Sequence, residues 1–261
     1  MKIYIYKIED LLSNYTSQGV LSSASVYLKS LNKGQWTCVN CNEQYDPGSL
    51  MKVPIMMAIL RMEEDNPGFL NRQIKFDKAP SLLRNPKIAG AKAIELNHTY
   101  SVRELLNYMI AYSDNNAMSL LFDHMDLNTH RKIFVDLGLT PQDFTKLSYP
   151  VTTREYSVFM EAIYNVSSLT ITNSEYADSL LSQCYYTDGL VKGLPPGTRI
   201  AHKFGEGGNG QVFQLHESGI VYYAGNPYLL TVMTKGPDLQ KLPAVVASVS
   251  KTVYTEMSRA D

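Results

Sequence analysis

Charge imbalance, long apolar runs, repeats and cysteines are all scarce in this chain of 261 residues, and each scarcity excludes something. Basic and acidic residues number 24 and 25, a net charge of −1 with no basic stripe, so the electrostatic footprint of a nucleic-acid-binding protein is missing. No apolar run reaches the roughly 20 residues that would span a bilayer, so no transmembrane segment is expected. There is no internal repeat or low-complexity tract. The N-terminus, Met1-Lys2-Ile3-Tyr4-Ile5-Tyr6, has neither the apolar core nor the small-residue cleavage site of a signal peptide. Read literally, it describes a cytoplasmic protein.

Only three cysteines occur. Cys38-Val39-Asn40-Cys41 has the CxxC form, but zinc takes about four ligands and no second Cys or His pair stands ready. In an extended strand three residues span about 10 Å, too far for a disulfide unless the chain turns there. The expectation is a pair of reduced cysteines at a strand end, with a disulfide second and a metal last. Cys184 reads as core.

What is present is length enough for one large core or two intimate halves, and a layout. Ser25 to Leu31 and Gln35 to Asn40 read as a hairpin across Asn32-Lys33-Gly34. Thr198 to Gly205, Gln211 to Tyr223 and Tyr228 to Lys235 read as three further strands, and Leu239 to Met257 as a closing helix. Residues 49 to 190 are mostly helical. The prediction is an α/β (α+β) fold: an antiparallel five-stranded sheet flanked by terminal helices, plus a helical subdomain. The sheet part is expected at about 1–48 and 191–261, and the helical part at about 49–190.

Three short motifs fall in order on this layout. Ser49-Leu50-Met51-Lys52 opens a helical run, Ser113-Asp114-Asn115 lies between two more, and Lys203-Phe204-Gly205 closes a strand-like run. A serine hydroxyl is a poor nucleophile at neutral pH and needs a group to take its proton. On a helical turn, residues i and i+3 share a face, so Lys52 would lie beside the Ser49 hydroxyl. Ser-x-x-Lys also occurs at Ser30 to Lys33 and at Ser248 to Lys251; context distinguishes Ser49. Gly48 precedes it and the apolar run Val53-Pro54-Ile55-Met56-Met57-Ala58-Ile59-Leu60 follows, a tight turn feeding a buried helix. The free N–H groups of that helix start can face a developing oxyanion. Pro54 lacks an N–H, which would leave the Leu50 carbonyl unbonded.

Ser101 to Ile110 reads as an amphipathic helix, with Glu104 closing a capping box on Ser101. Ser113-Asp114-Asn115 then forms an inter-helix corner before Ala117 to Met125 resumes. A hydroxyl there can relay a proton to a leaving nitrogen, and an amide can hydrogen-bond a substrate carbonyl; the same tripeptide is also ordinary turn content. After the third motif comes the turn Glu206-Gly207-Gly208-Asn209-Gly210. Gly205 would let a substrate backbone lie close to the strand. Lys203 would add positive charge that favours an anionic substrate and disfavours protonation of Lys52. By strand alternation His202 faces away from Lys203 and reads as structural, and His216-Glu217 reads as part of a cross-strand pair.

Together the three motifs resemble those of the penicillin-recognising serine hydrolases, and in size and layout most closely the class A β-lactamases. The resemblance covers nearly the whole chain and implies a single β-lactamase-like catalytic domain over 1–261, of transpeptidase-like fold. It implies Ser49 as nucleophile, Lys52 as acylation base or its relay, and Ser113 as proton shuttle to the leaving group. Asn115 would bind the substrate's side-chain amide. Lys203 and Gly205 would line the strand, and the backbone N–H groups of Ser49 and Glu206 would form the oxyanion hole. The implied substrate is a β-lactam or a D-alanyl peptide, with no metal or organic cofactor. Export to the periplasm or outside the cell is implied too, and a chain trimmed of its leader reconciles that with the N-terminus.

Two departures from the family pattern stand out. Phe204 replaces a hydroxyl residue, removing a hydrogen bond to a substrate carboxylate. The deacylating glutamate of class A enzymes, in a Glu-x-x-Leu-Asn loop, has no clear counterpart. Glu161-Ala162-Ile163-Tyr164-Asn165 imitates the pattern but falls within the helical stretch Thr152 to Tyr164. Leu139 to Pro150 is short and offers only Asp143. Three readings follow: a β-lactam hydrolase, a D-alanyl-D-alanine peptidase, and a binding protein of low turnover.

Overall fold

The computed structural model describes residues 2–78, 87–88, 90–146, 149–208, 210–223 and 225–259, with side chains from residue 5 onward. Met1 of the N-terminal reading, Leu147 and Ser148 of the Leu139 to Pro150 stretch, and Asn209 of the glycine-rich turn lie outside the described residues. In chain order the elements are α1 (Lys2–Ser17), β1 (Ser23–Ser30) and β2 (Trp36–Val39), then a 3-10 turn at Gly48–Met51 that runs directly into α2 (Lys52–Asp65). There follow β3 (Gln73–Phe76), β4 (His98–Ser101), α3 (Val102–Ala111), α4 (Asn115–Asp123), α5 (Leu127–Asp136), α6 (Thr153–Tyr164) and α7 (Ile171–Leu181). The chain closes with β5 (Ile200–Gly208), β6 (Phe213–Val221), β7 (Tyr228–Gly236) and α8 (Leu242–Arg259).

The chain divides into two compact units. The first comprises Met1–Leu50, Lys146–Met160 and Tyr186–Asp261. Its five strands form one antiparallel sheet in the order β2-β1-β7-β6-β5. The α1 and α8 helices pack on each other and against this sheet. β1 and β7 are buried almost throughout. The polar residues on the inner strands are satisfied in a chain of hydroxyls: Ser218 to Thr231 at 2.7 Å, Thr231 to Ser157 at 2.6 Å, and Ser157 to the Thr153 carbonyl at 2.7 Å. Buried polar atoms are normally paired in this way.

The second unit comprises Met51–Thr145 and Glu161–Tyr185. Its centre is α2, buried from Lys52 to Leu60, which packs against α3, α4, α5 and α7. The capping box on α3 forms as the sequence predicts, with Ser101 Oγ accepting from Glu104 N–H at 3.2 Å and Glu104 accepting from Ser101 N–H at 2.7 Å. A two-stranded ribbon, β3 with β4, was not predicted. Its strands are four residues each, too short for alternation to separate them from loop.

The cysteine expectation is overturned. Cys38 and Cys41 form a disulfide with their Cα atoms 5.7 Å apart, inside the range a disulfide spans. The strand ends at Val39, and Asn40 adopts a left-handed conformation with φ 52°. That turn removes the extended geometry on which the expectation rested. Asn40 is held there by Ser25 Oγ, which donates to its carbonyl at 2.7 Å, and by its own amide, which donates to the Ala24 carbonyl at 2.7 Å. Cys184 is reduced and buried.

Candidate active site

In the first unit, Ser49 lies on the turn Asp46-Pro47-Gly48-Ser49-Leu50, pressed backbone to backbone on β5. Gly48 has φ 52°, and a Cβ there would sit 2.1 Å from the Glu206 carbonyl oxygen. A Cβ on Gly205 would sit 2.4 Å from the Pro47 carbonyl and 2.8 Å from the Leu50 nitrogen; one on Gly207 would sit 3.0 Å from the Asp46 carbonyl. Only glycine fits at 48 and 205. The space that Gly205 opens is therefore filled by the chain's own turn, a use of this glycine that the sequence did not suggest. The same approach brings the Ser49 turn beside Glu206.

The turn is pinned at its start. Asp46 N–H donates to Gln214 Oε1 at 3.0 Å, and the Asp46 carbonyl accepts from His216 Nε2 at 2.9 Å. Thr234 N–H donates to His216 Nδ1 at 3.2 Å. Since Nδ1 accepts, the proton of the neutral ring is on Nε2. Burial pushes this imidazole down to about 3, so it stays neutral. Tyr45 meets it edge-on at 5.3 Å. Glu217 makes the expected cross-strand pair with His202, at 2.6 Å, and also accepts from Leu190 N–H at 2.8 Å; His216 takes no part in it.

At its end the turn is held by Leu50. Leu50 N–H donates to the Pro47 carbonyl at 3.1 Å, and the Leu50 carbonyl accepts from Tyr156 Oη at 3.1 Å. The unbonded carbonyl expected from Pro54 is thus supplied by a side chain more than a hundred residues away.

Lys203 is fully buried, and its Nζ donates to the Phe204 carbonyl at 3.0 Å and lies 4.3 Å from that ring's centroid. The Phe204 ring, where the family has a hydroxyl, stacks on Tyr186 at 4.4 Å.

In the second unit, Lys52 begins α2 with 1 % of its surface exposed. Its Nζ donates to the Ser113 carbonyl at 2.5 Å, to Asn115 Oδ1 at 2.7 Å and to Ser113 Oγ at 3.3 Å. A lysine head this deeply buried is tolerable only with hydrogen-bond partners of this kind around it. The Ser113 backbone is left-handed, φ 57°, an uncommon state for a non-glycine residue. Asp114 holds it by capping α4: one carboxylate oxygen accepts from Asn116 N–H at 2.8 Å and the other from Ile94 N–H at 2.7 Å. The tripeptide that reads as plain turn content thus gathers the lysine, the hydroxyl and the amide in one place.

Both acids weighed for deacylation belong to this second unit as well. Glu161 lies in the last turn of α6, where Asn165 Nδ2 donates to it at 3.4 Å. Asp143 is exposed and closes a local turn, accepting from Thr145 N–H at 3.0 Å and from its hydroxyl at 2.6 Å. Tyr156, His216 and the constraint on Gly48 were missed by sequence reasoning. Pro54 carried the signal for the first, because a proline there asks what bonds the carbonyl four residues earlier.

A sequence model described as the beta-lactamase enzyme family matches residues 6–257. The chain belongs to that family. An extended-spectrum beta-lactamase, PER-1 of Pseudomonas aeruginosa, is 22 % identical over 236 residues, covering 83 % of this chain and 76 % of its own. Among solved structures, PBP-A superposes with a TM-score of 0.78 at 22 % identity, covering 97 % of this chain and 96 % of its own. A mutant of PBP-A with the same scores is described as an acyl-enzyme complex with penicillin G. A class A beta-lactamase from Mycobacterium abscessus gives a TM-score of 0.81 at 19 % identity, covering 96 % and 98 %. The fold is therefore that of the β-lactamases and transpeptidases. Among the described residues no helix is long and apolar enough to cross a membrane.

Proposed function

We propose that this protein is a serine hydrolase that forms an acyl-enzyme with a β-lactam, with residues 1–261 acting as one catalytic domain. Ser49 Oγ attacks the carbonyl and its proton leaves through Lys52. Ser113 delivers a proton to the departing nitrogen. The N–H groups of Ser49 and Glu206 stabilise the oxyanion, Asn115 binds the substrate's side-chain amide, and Lys203 and Gly205 line the strand. The observation that carries this reading is Lys52, a buried lysine whose Nζ donates to both oxygens of Ser113 and to the Asn115 amide and which, as the neutral amine, can take the serine proton. A structural lysine has no need of that company at the head of a helix three residues after a serine.

Turnover is a separate matter. Hydrolysing the ester requires a positioned base on a water, and Asp143 is closed in its own exposed turn while Glu161 is a helix residue bonded to Asn165. We read the acyl-enzyme as long-lived. That also favours the second reading, a D-alanyl-D-alanine peptidase or low-turnover binder of cell-wall peptides. The Cys38–Cys41 disulfide supports an oxidising, extracytoplasmic setting.

The test is a reporter penicillin followed by intact mass. Ser49-dependent labelling that decays over minutes or longer, with slow steady-state hydrolysis of a chromogenic cephalosporin, is expected. Equal labelling of Ser49→Ala removes the nucleophile assignment. Fast turnover lost in Glu161→Gln makes the protein an ordinary hydrolase with Glu161 as its base. A transferable D-alanyl peptide substrate accepted more readily than any β-lactam selects the peptidase.

A further inference from the structure

The carbonyl next to the proposed nucleophile is in an unusual position. Leu50 lies in the 3-10 turn just ahead of α2; were the helix wound back over it, its carbonyl would take the N–H of the residue four further on. Four residues after Leu50 stands Pro54, which has no N–H to give. Leu50 is fully buried, so water is no substitute. The donor in the structure is the hydroxyl of Tyr156 on α6, 3.1 Å away, itself fully buried and tilted against Phe159 at 5.9 Å. Burial holds that phenol well above its ordinary range, so it remains an O–H donor at any working pH.

Leu50 is thereby fixed on both sides: its N–H, in the peptide shared with Ser49, by the Pro47 carbonyl, and its C=O, in the peptide shared with Met51, by Tyr156. Ser49 shares a peptide bond with this residue. On the other side Gly48 and Gly205 allow the turn no slack, with the Glu206 and Pro47 carbonyls already where a Cβ would be. A shift of the Leu50–Met51 peptide reaches Ser49 through the backbone dihedrals of Leu50, and the turn has no slack to absorb it before it moves the hydroxyl and N–H that have to meet the carbonyl under attack.

Resting on the acylation reading above, we infer that Tyr156 is a positioning residue for the reaction: through the Leu50 carbonyl it sets the orientation of Ser49, taking the place of the helical hydrogen bond that Pro54 forbids. Tyr156 touches no substrate. Its effect is on the rate of the chemical step and not on the affinity of the preceding complex.

The measurement is the acylation rate of full-length protein by a reporter penicillin, over a range of concentrations, with thermal unfolding recorded for each variant. Tyr156→Phe keeps the ring and loses only the hydroxyl. It is expected to acylate about 10- to 100-fold more slowly, the scale of a small misplacement of reacting groups, with half-saturation changed less than about twofold. Pro54→Ala returns an N–H to the i+4 position. On its own it is expected to acylate within about threefold of the parent, and in combination it should recover most of the rate lost in Tyr156→Phe. A Tyr156 that only fills space gives no such rescue.

Tyr156→Phe acylating at the parent rate overturns the inference and leaves the acylation reading standing, as does a slow Tyr156→Phe that Pro54→Ala fails to rescue. If Tyr156→Phe alone does not fold, the double variant decides: folding with near-parent acylation supports the inference, and failure to fold or slow acylation overturns it. A parent not labelled at Ser49 overturns the acylation reading and this inference together.

Discussion

Ser49 and Ser113 both depend on left-handed backbone, at Gly48 with φ 52° and at Ser113 itself with φ 57°, yet what holds each turn differs. The Ser49 turn is held by exclusion and neutral groups: two glycines with no room for a Cβ, an uncharged imidazole on Asp46, and a phenol on Leu50. The Ser113 corner is held by hydrogen bonds from ionisable side chains, with Lys52 Nζ on its oxygens and the Asp114 carboxylate on its neighbouring N–H groups. Steric locks tolerate no added volume. Hydrogen-bond locks fail when a partner is removed, and since each buried group left unpaired costs only about 1–3 kcal/mol, the loss falls on chemistry as much as on folding.

The sharpest separation is expected from Gly48→Ala. The added methyl would lie 2.1 Å from a backbone oxygen that cannot swing away, in a conformation where alanine is strained. A loss of about 3–5 kcal/mol in chemical unfolding, with acylation abolished, is expected from overpacking of this severity. A change below about 1 kcal/mol would mean that the turn is not locked on β5.

Lys52→Met should invert that pattern. Acylation is expected to fall by the 10²- to 10⁴-fold typical of a lost general base, while stability falls by only about 1–3 kcal/mol, the cost of leaving buried acceptors unpaired. Unfolding on the scale of Gly48→Ala would show the lysine to be a structural pillar and erase the contrast.

Acid probes both units through one residue type. His216 in the first is pushed down to about 3 and His130 in the second to about 4, each by burial. An unfolded histidine titrates near 6.5, so below that pH the unfolded chain takes up protons that the folded one refuses. Stability from these groups is complete above about pH 6.5 and declines as pH falls, until about pH 4 for His130 and about pH 3 for His216. At about 1.4 kcal/mol per pH unit, the two shares are on the order of 3 and 5 kcal/mol. Urea midpoints between pH 7 and 4 should show the slope flattened in His216→Gln and in His130→Leu. An unchanged slope in both would mean that acid acts elsewhere.

The smallest effect should come from the disulfide. Its loop encloses so few residues that chain entropy alone gives about 2 kcal/mol. Cys38→Ser with Cys41→Ser should cost that much or less in urea, with labelling at Ser49 unchanged within about twofold. A larger loss of labelling would tie the Asn40 turn to Ser49.

Much of this was legible in sequence because the signals are local. Hairpin residues, alternation and the Ser101–Glu104 box each act over a few positions, and the three motifs keep their order, although β5 runs on to Gly208 and Lys203-Phe204-Gly205 lies within the strand instead of closing it before a turn. What escaped depends on contacts between distant segments. Nothing near Gly48 announces that Glu206 lies against it, and nothing near Tyr156 names Leu50 as its acceptor. His216 looks like half of a pair with the adjacent Glu217, but alternation sends them to opposite faces. The CxxC misreading had a narrower cause: one residue, Asn40, left the extended conformation on which the distance argument depended.

The stack of Phe204 on Tyr186 bears on how this site could change over generations. Restoring a hydroxyl at 204 looks like a single step, but the ring is 2 % exposed and lies 4.4 Å from its neighbour. Emptying such a position removes about 3–5 kcal/mol for a large aromatic, against the roughly 1 kcal/mol that a new hydrogen bond returns. A domain holds only about 5–15 kcal/mol in all. Placing threonine or serine at 204 therefore calls first for a bulkier or differently shaped side chain at position 186.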